Sequence, residues 1–234
     1  MRLSWKLGQV AGIDLFLHPS ALLWFWIGSQ YMPTGIESVA LVVALLGSIV
    51  LHELGHALMA RQYGIQTADI TLYVFGGVAR LERMPRSSGP ELLIALAGPT
   101  VNFAIVAILG TVLILANIVG LPSIPLISAL LTMNLGLGLF NLLPVFPMDG
   151  GRVFRALMSG WVGRLRATEM AAGLGRALAL AGGVYCLLSG QFLTLILVGF
   201  VLLAGSVELQ QVRSEGRGSA EPGGFVNIPE PPTG

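Results

Sequence analysis

Residues Ile49 to Ala60 read IVLHELGHALMA, placing two histidines and a glutamate in a run that is otherwise apolar or glycine. On a helix, His52 and His56 are four residues apart and project from one face, one turn above the other. Both then reach a single ion. Glu53 lies beside that ion, where it is suited to take a proton from a bound water and not to serve as a ligand. This is the HExxH arrangement, for which zinc is the expected metal and glutamate the general base. The same run decides the fold, because a charged side chain at the centre of a bilayer costs about 2.5 to 3.5 kcal/mol even on an insertion scale. A metal and a water-filled cavity remove that cost.

The surroundings are those of a membrane protein. Of 234 residues, 54% are hydrophobic and 11% charged, well below the roughly 25% charge of soluble domains, and mean hydropathy is +0.80. A spanning helix needs about 20 mostly apolar residues. Six stretches qualify: Leu15 to Tyr31, Ile36 to Ala60, Leu92 to Val119, Pro125 to Leu143, Met170 to Ser189 and Phe192 to Val207. The chain is therefore expected to be an all-α polytopic membrane protein with six transmembrane helices and short β-strands on the cytoplasmic side. The basic start MRLSWK leads into a long apolar stretch without a small-residue cleavage site, so the first span is expected to stay.

Charge placement gives an orientation. Arg2 and Lys6, then Arg61, Arg80, Arg83 and Arg86, then Arg152, Arg155, Arg164 and Arg166, then Arg213 and Arg217 all fall on one side of this layout. The links YMPTGIES, GLPSIP and SGQ on the other side hold no Lys or Arg. The positive-inside rule then makes the chain a multi-pass protein of the cell membrane with both termini cytoplasmic. Arg176, in the first turns of the fifth span, snorkels to the same side. No basic stripe points to nucleic acid. The lone Cys186 excludes an intrachain disulfide and reads as an apolar filler. From Ser214 the composition turns rich in Gly, Pro and Glu, so a membrane domain at 1–213 is expected to end in a flexible cytoplasmic tail at 214–234.

A catalytic zinc usually takes three protein ligands and leaves one position for water. His52 lies nine residues before Arg61, about 14 Å along a helix, so the site is inside the membrane and nearer the cytoplasm. Its third ligand should come from a span ending on that side. In FNLLPVFPMDGGR, Pro144 and Pro147 break the helix and Gly150-Gly151 leave the backbone open, so Asp149 is the better placed candidate. His18, in LHPS, reads as a hydrogen-bonded histidine at the entrance of the first span. Gly47, Ser48, Gly55 and Ala57 keep the HELGH helix slim. The segment Asp69 to Arg83, DITLYVFGGVARLER, reads as two short strands turning at Gly76-Gly77, with WKLGQVAGIDLFLH as a further strand. Thr71, Tyr73 and Phe75 on the first of these are the expected contacts of an unwound substrate added as a strand.

His52-Glu53-Leu54-Gly55-His56, Ala97-Gly98-Pro99 with Asn102, and Asn141, Pro144, Pro147, Asp149 and Gly150 together resemble the site-2 protease family of intramembrane zinc metalloproteases. The resemblance runs from about residue 6 to 207. It implies a zinc endopeptidase that cleaves transmembrane segments of single-span proteins, with His52, His56 and Asp149 as ligands and Glu53 as acid/base. It further implies that Asn141 and Pro147 position substrate. Met148 stands where the family usually has Leu, a volume-conserving change. The clients it implies are anti-sigma factors, membrane-bound transcription factors or signal-peptide remnants. Many relatives carry nucleotide-sensing CBS modules or an inserted PDZ domain, and neither is expected here.

Two other classes share these features. A transporter also uses broken helices and midplane ionisable groups, but no relation between the two halves and no second polar cluster supports one. A metal-binding scaffold that holds client helices without cutting them would have no need of Glu53.

Overall fold

The computed structural model describes residues 3–29, 35–83, 85, 87–122, 124–190 and 194–218. Strand β1 (Trp5–Val10) turns back into β2 (Ile13–Leu17). The two turn residues, Ala11 and Gly12, both have positive φ, as a tight two-residue hairpin requires. His18 is extended and caps a 3-10 turn at Pro19–Leu22, which leads into a six-residue helix α1 (Leu23–Gly28). Helix α2 (Gly35–Gln62) carries the HELGH motif. Strands β3 (Thr67–Tyr73) and β4 (Gly76–Leu81) follow. The chain then continues as α3 (Ser88–Ile118), α4 (Pro125–Asn141), α5 (Asp149–Val162), α6 (Arg164–Leu188) and α7 (Thr194–Gly218).

Helices α2, α3 and α6 are long and apolar enough to cross a bilayer, and α4 is a shorter apolar helix. On α3, Ile108, Ile114, Leu115 and Ile118 are each more than half exposed. Water would penalise that surface by about 25 cal/mol per Å2, whereas lipid does not. The molecule is thus a mostly helical membrane protein with one small sheet.

The first expected span is not a single helix. Leu15 to Leu17 belong to β2, and only Leu23–Gly28 is α-helical in the described part of that stretch. The apolar count misled because Leu15 and Leu17 pack inward on a strand against the cluster of Leu45, Ile49 and Leu72. Pro19, at the start of the 3-10 turn, also has no N–H to extend a helix backwards. Residues 30–34 lie outside the described residues, so the six-span count does not follow from these elements. Helix α7 continues through Gly218, and residues 219–234 of the expected tail also lie outside the described residues.

The sheet order is β1-β2-β3-β4. β1 and β2 are antiparallel, β2 and β3 parallel (Phe16 opposite Thr71), and β3 and β4 antiparallel (Thr71 opposite Val78). The β3–β4 hairpin turns at Val74-Phe75, not at Gly76-Gly77, because Tyr73 and Gly76 form the closing pair. Ile70 and Leu72 of β3 pack on α2, which seats the sheet against the helix that bears the motif. Helices α2 and α3 approach closely at Gly55, where a Cβ would stand 2.9 Å from the Ala97 carbonyl oxygen.

Candidate metal centre

Three buried side chains converge where α2 meets the start of α5. The Nε2 atoms of His52 and His56 are 3.1 Å apart, and Asp149 Oδ2 lies 3.1 Å from the first and 3.2 Å from the second. Asp149 arrives as the first residue of α5, after the irregular segment from Leu142 to Met148. Gly150 and Gly151 let that segment fold onto the helix start: a Cβ on Gly150 would stand 2.2 Å from the Leu142 carbonyl oxygen, and one on Gly151 2.7 Å from Val145. These glycines therefore serve close packing more than the open backbone expected of them. Gly98 of α3 lies against both imidazoles, where a Cβ would fall 2.2 Å from His56 Nε2 and 2.7 Å from His52 Nε2.

The donor set fits a zinc ion. Each Nδ1 faces an acceptor: His52 Nδ1 donates to Asn102 Oδ1 at 2.5 Å, and His56 Nδ1 donates to the Ile94 carbonyl at 2.6 Å. With both protons there, the Nε2 atoms of the neutral rings present lone pairs to each other and to a carboxylate. Three acceptors that close repel unless a cation lies among them. Ligands about 2.0 to 2.1 Å from a tetrahedral zinc stand about 3.3 Å apart, close to the separations seen here. Metal-bound histidines commonly donate their second N–H to a carbonyl in this way.

Behind His52 the polar contacts continue. Asn102 Nδ2 donates to Asn134 Oδ1 at 3.1 Å; Asn134 Nδ2 donates to Ser48 Oγ at 3.2 Å and to the Leu130 carbonyl at 2.9 Å; Ser48 Oγ donates to the Ala44 carbonyl at 3.0 Å. Asn102, Asn134 and Ser48 are all buried. Of these, Asn102 belongs to a recognised motif, whereas Asn134 stands in an unremarkable apolar helix. The signal that singles it out is an amide in the middle of a lipid-length segment.

Glu53 faces a cavity of about 620 Å3 that also reaches His52 and Asp149. Its Oε2 accepts from the Ala79 amide of β4 at 3.2 Å. Gly77 lies flat against the same side chain, 2.4 Å from Glu53 Cγ to the position of its missing Cβ. Since Ala79 N–H points to Glu53, the amides of Ala79 and Gly77 face the open edge of β4, while Val78 faces β3. Asn141 and Pro147 line the cavity from the α4–α5 side, and Tyr73 and Phe75 from the sheet. The Phe75 ring stacks on Phe200 of α7, with centroids 5.1 Å apart. Arg152 also lines the cavity, and its buried Nε has no hydrogen-bond partner among the described residues.

Thr71 is in a different place. It is buried, and it lines a separate hollow with Asp69, Arg80 and His18, bounded from the cavity by Tyr73 and Val78, which line both. Here the Asp69 carboxylate, hydrogen-bonded to the guanidinium, raises the pKa of Arg80 above its ordinary value. Strand β3 is paired on both sides, so it has no free edge for a substrate strand; the free edge beside the site belongs to β4. His18 is not among the converging residues and instead hydrogen-bonds Ser20, with Nδ1 2.9 Å from Oγ.

Comparison with known proteins gives a consistent set of likenesses. The profile of peptidase family M50 matches residues 40–123 and 117–182. A zinc metalloprotease of Methanocaldococcus jannaschii is 37% identical over 220 residues, covering 92% of this chain and 63% of its own length. Rip3 of Mycobacterium tuberculosis is 37% identical over 195 residues, 76% of this chain and 49% of that one. The chain thus spans between about half and five-eighths of these two relatives. Among solved structures, the site-2 protease from Methanocaldococcus jannaschii superposes with a TM-score of 0.66 at 36% identity, covering 88% of this chain and 95% of that one.

Proposed function

Because this chain belongs to peptidase family M50, the site-2 protease family, we propose that it is a zinc-dependent endopeptidase that cleaves transmembrane segments of single-span membrane proteins near the cytoplasmic side. The observation that carries this reading is Glu53 beside three convergent ligand atoms, in a cavity walled by a free strand edge. His52, His56 and Asp149 hold the metal. When bound, zinc supplies a Lewis acid and lowers the pKa of a water toward neutrality. Glu53 accepts the proton of that water and delivers it to the leaving amine. The Ala79 amide keeps the carboxylate turned toward the cavity. Asn141 and Pro147 flank the substrate, and Arg152 offers positive charge to the carbonyl oxygen as negative charge grows on it.

A transmembrane substrate is helical and must be unwound before its peptide bond can react. The open edge of β4 supports strand addition as the means, since Gly77 directs its amide to that edge beside the Ala79 amide held by Glu53, and backbone pairing demands no fixed sequence. Tyr73 and Phe75 supply apolar walls for the side chains. The excess of arginine on the side of the sheet supports both termini facing the cytoplasm, in the multi-pass layout expected of the sequence. Clients of this chemistry are membrane-tethered regulators, such as anti-sigma factors or membrane-bound transcription factors, and signal-peptide remnants.

In proteoliposomes with zinc, Glu53→Gln is expected to retain the metal while losing at least about a hundredfold in cleavage of a single-span substrate, in line with the loss of a general base. Wild-type rates in that variant would remove Glu53 from the chemistry, and a wild-type chain that binds helices without cutting them would favour the scaffold. The strand-addition step is checked with a substrate N-methylated at alternate backbone positions around the cleavage site. Undiminished turnover would exclude it.

A further inference from the structure

The buried amide chain behind His52 has a direction. A backbone carbonyl only accepts hydrogen bonds, so the contact from Asn134 to the Leu130 carbonyl fixes which end of the Asn134 side chain is the NH2. Ser48 is fixed in the same way, because its hydroxyl proton is committed to the Ala44 carbonyl and its lone pair is what remains for Asn134. Asn134 therefore turns its oxygen to Asn102, Asn102 turns its NH2 to Asn134, and the oxygen of Asn102 is left facing His52 Nδ1. An oxygen at that position demands a proton on Nδ1. The lone pair of His52 is then on Nε2, the atom that points to His56 and Asp149.

We propose that Asn134 and Ser48, on α4 and α2, are positioning residues that select the metal-binding tautomer of His52 through Asn102. The proposal rests on the zinc reading above and extends it three side chains beyond the ligand. His56 needs no such relay, since a main-chain carbonyl already faces its Nδ1. A side-chain amide can rotate by half a turn and present NH2 where it presented oxygen. Asn102 would then favour the His52 tautomer protonated on Nε2, which cannot ligate. The second amide and the serine make that rotation expensive by tying the chain to two carbonyls that cannot change sign. All members are neutral, and that suits their place in the apolar middle of the molecule.

The test uses the full chain in detergent micelles. The sequence has three histidines, so 15N imidazole spectra of metal-free protein resolve each tautomer directly. His52 is expected as the Nδ1–H form in the wild type, and finding it protonated on Nε2 there would overturn the proposal without any variant. Zinc affinity is measured by chelator competition. Asn134→Leu, of similar volume but without the amide, is expected to weaken zinc binding by about tenfold, the lower end of the effect of removing an outer hydrogen-bond partner, and to shift the His52 resonances. Asn134→Asp, held as the neutral acid in that apolar setting, keeps an oxygen toward Asn102 and an O–H toward the Leu130 carbonyl, and should stay within about twofold of wild type. If the role were packing alone, neither substitution would move the affinity, and equal affinities in folded Asn134→Leu and wild type would sink the idea. Should Asn134→Leu not fold, Ser48→Ala, which removes the hydroxyl that holds the Asn134 amide, is expected to weaken zinc binding in the same direction and to shift the His52 resonances, and the absence of both changes in folded protein would overturn the proposal. A wild-type chain that takes up no zinc at all would instead defeat the metal reading.

Discussion

Two groups of buried polar side chains stand side by side here, built on different plans. The chain from His52 through Asn102, Asn134 and Ser48 is made of neutral groups in single file. The other group is ionic and branched. Arg155 of α5, with no exposed surface, donates from Nε to Glu91 of α3 at 2.6 Å and from Nη1 to Glu208 of α7 at 2.6 Å, and Arg164 of α6 reaches the second oxygen of Glu91 at 2.6 Å. The Arg155 guanidinium also lies 5.0 Å from the centroid of Phe146, in the segment that delivers Asp149. Two positive and two negative groups thus join four helices. Charges hold strongly but are indifferent to donor direction, since an arginine only donates and a carboxylate only accepts. Amides hold weakly but transmit an orientation. The ionic plan fixes where α5 lies, and with it Asp149; the neutral plan sets how an imidazole is protonated.

The two plans should fail differently. Arg155→Ala leaves Glu208 without that partner and Glu91 with Arg164 alone, which should cost about 3 to 5 kcal/mol of stability. Thermal unfolding in micelles reads this as a large drop in midpoint. A loss near zero would mean that water enters the cluster and that it is not a buried network. Asn134→Leu removes neutral hydrogen bonds and strands one Asn102 donor, a cost of about 1 to 3 kcal/mol. Its midpoint should fall less than that of Arg155→Ala even as its zinc affinity falls more, measured against metal-free stability in the same detergent. A reversal of that order would erase the distinction between holding and orienting.

What could be read from the amino-acid order alone follows the same division. HELGH is local: its spacing on a helix is enough to put two imidazoles on one face, and the prolines and glycines around Asp149 announce a break that turns a carboxylate inward. The β3–β4 hairpin was also legible, from β-branched residues around a pair of glycines, although the turn lies two residues earlier than those glycines suggest. Leu15 to Leu17 were misread because apolar content is the same for a strand packed on a helix as for the start of a span. Thr71 was assigned to the substrate side because it shares a face with Tyr73 and Phe75, and alternation does not say where along that face the cavity ends, nor which strand of a sheet is left at its edge. Glu91, Arg155 and Glu208 are 64 and 53 residues apart, so only the assembled helices reveal them as partners.

Gly98 gives the site a particular kind of fragility. Glycine inside a helix is less stable than alanine by roughly 0.5 to 1 kcal/mol, and α3 accepts that loss at the one place where two imidazole rings lie against its backbone. Every single-base change that alters this residue adds at least one carbon to the space the rings occupy. The smallest such change, to alanine, would raise the helix propensity of that position. Selection for folding and selection for metal binding therefore pull in opposite directions on the same hydrogen atom. A lineage that ceased to need the reaction would be free to lose the glycine here, its helix gaining propensity while the two imidazoles are forced aside.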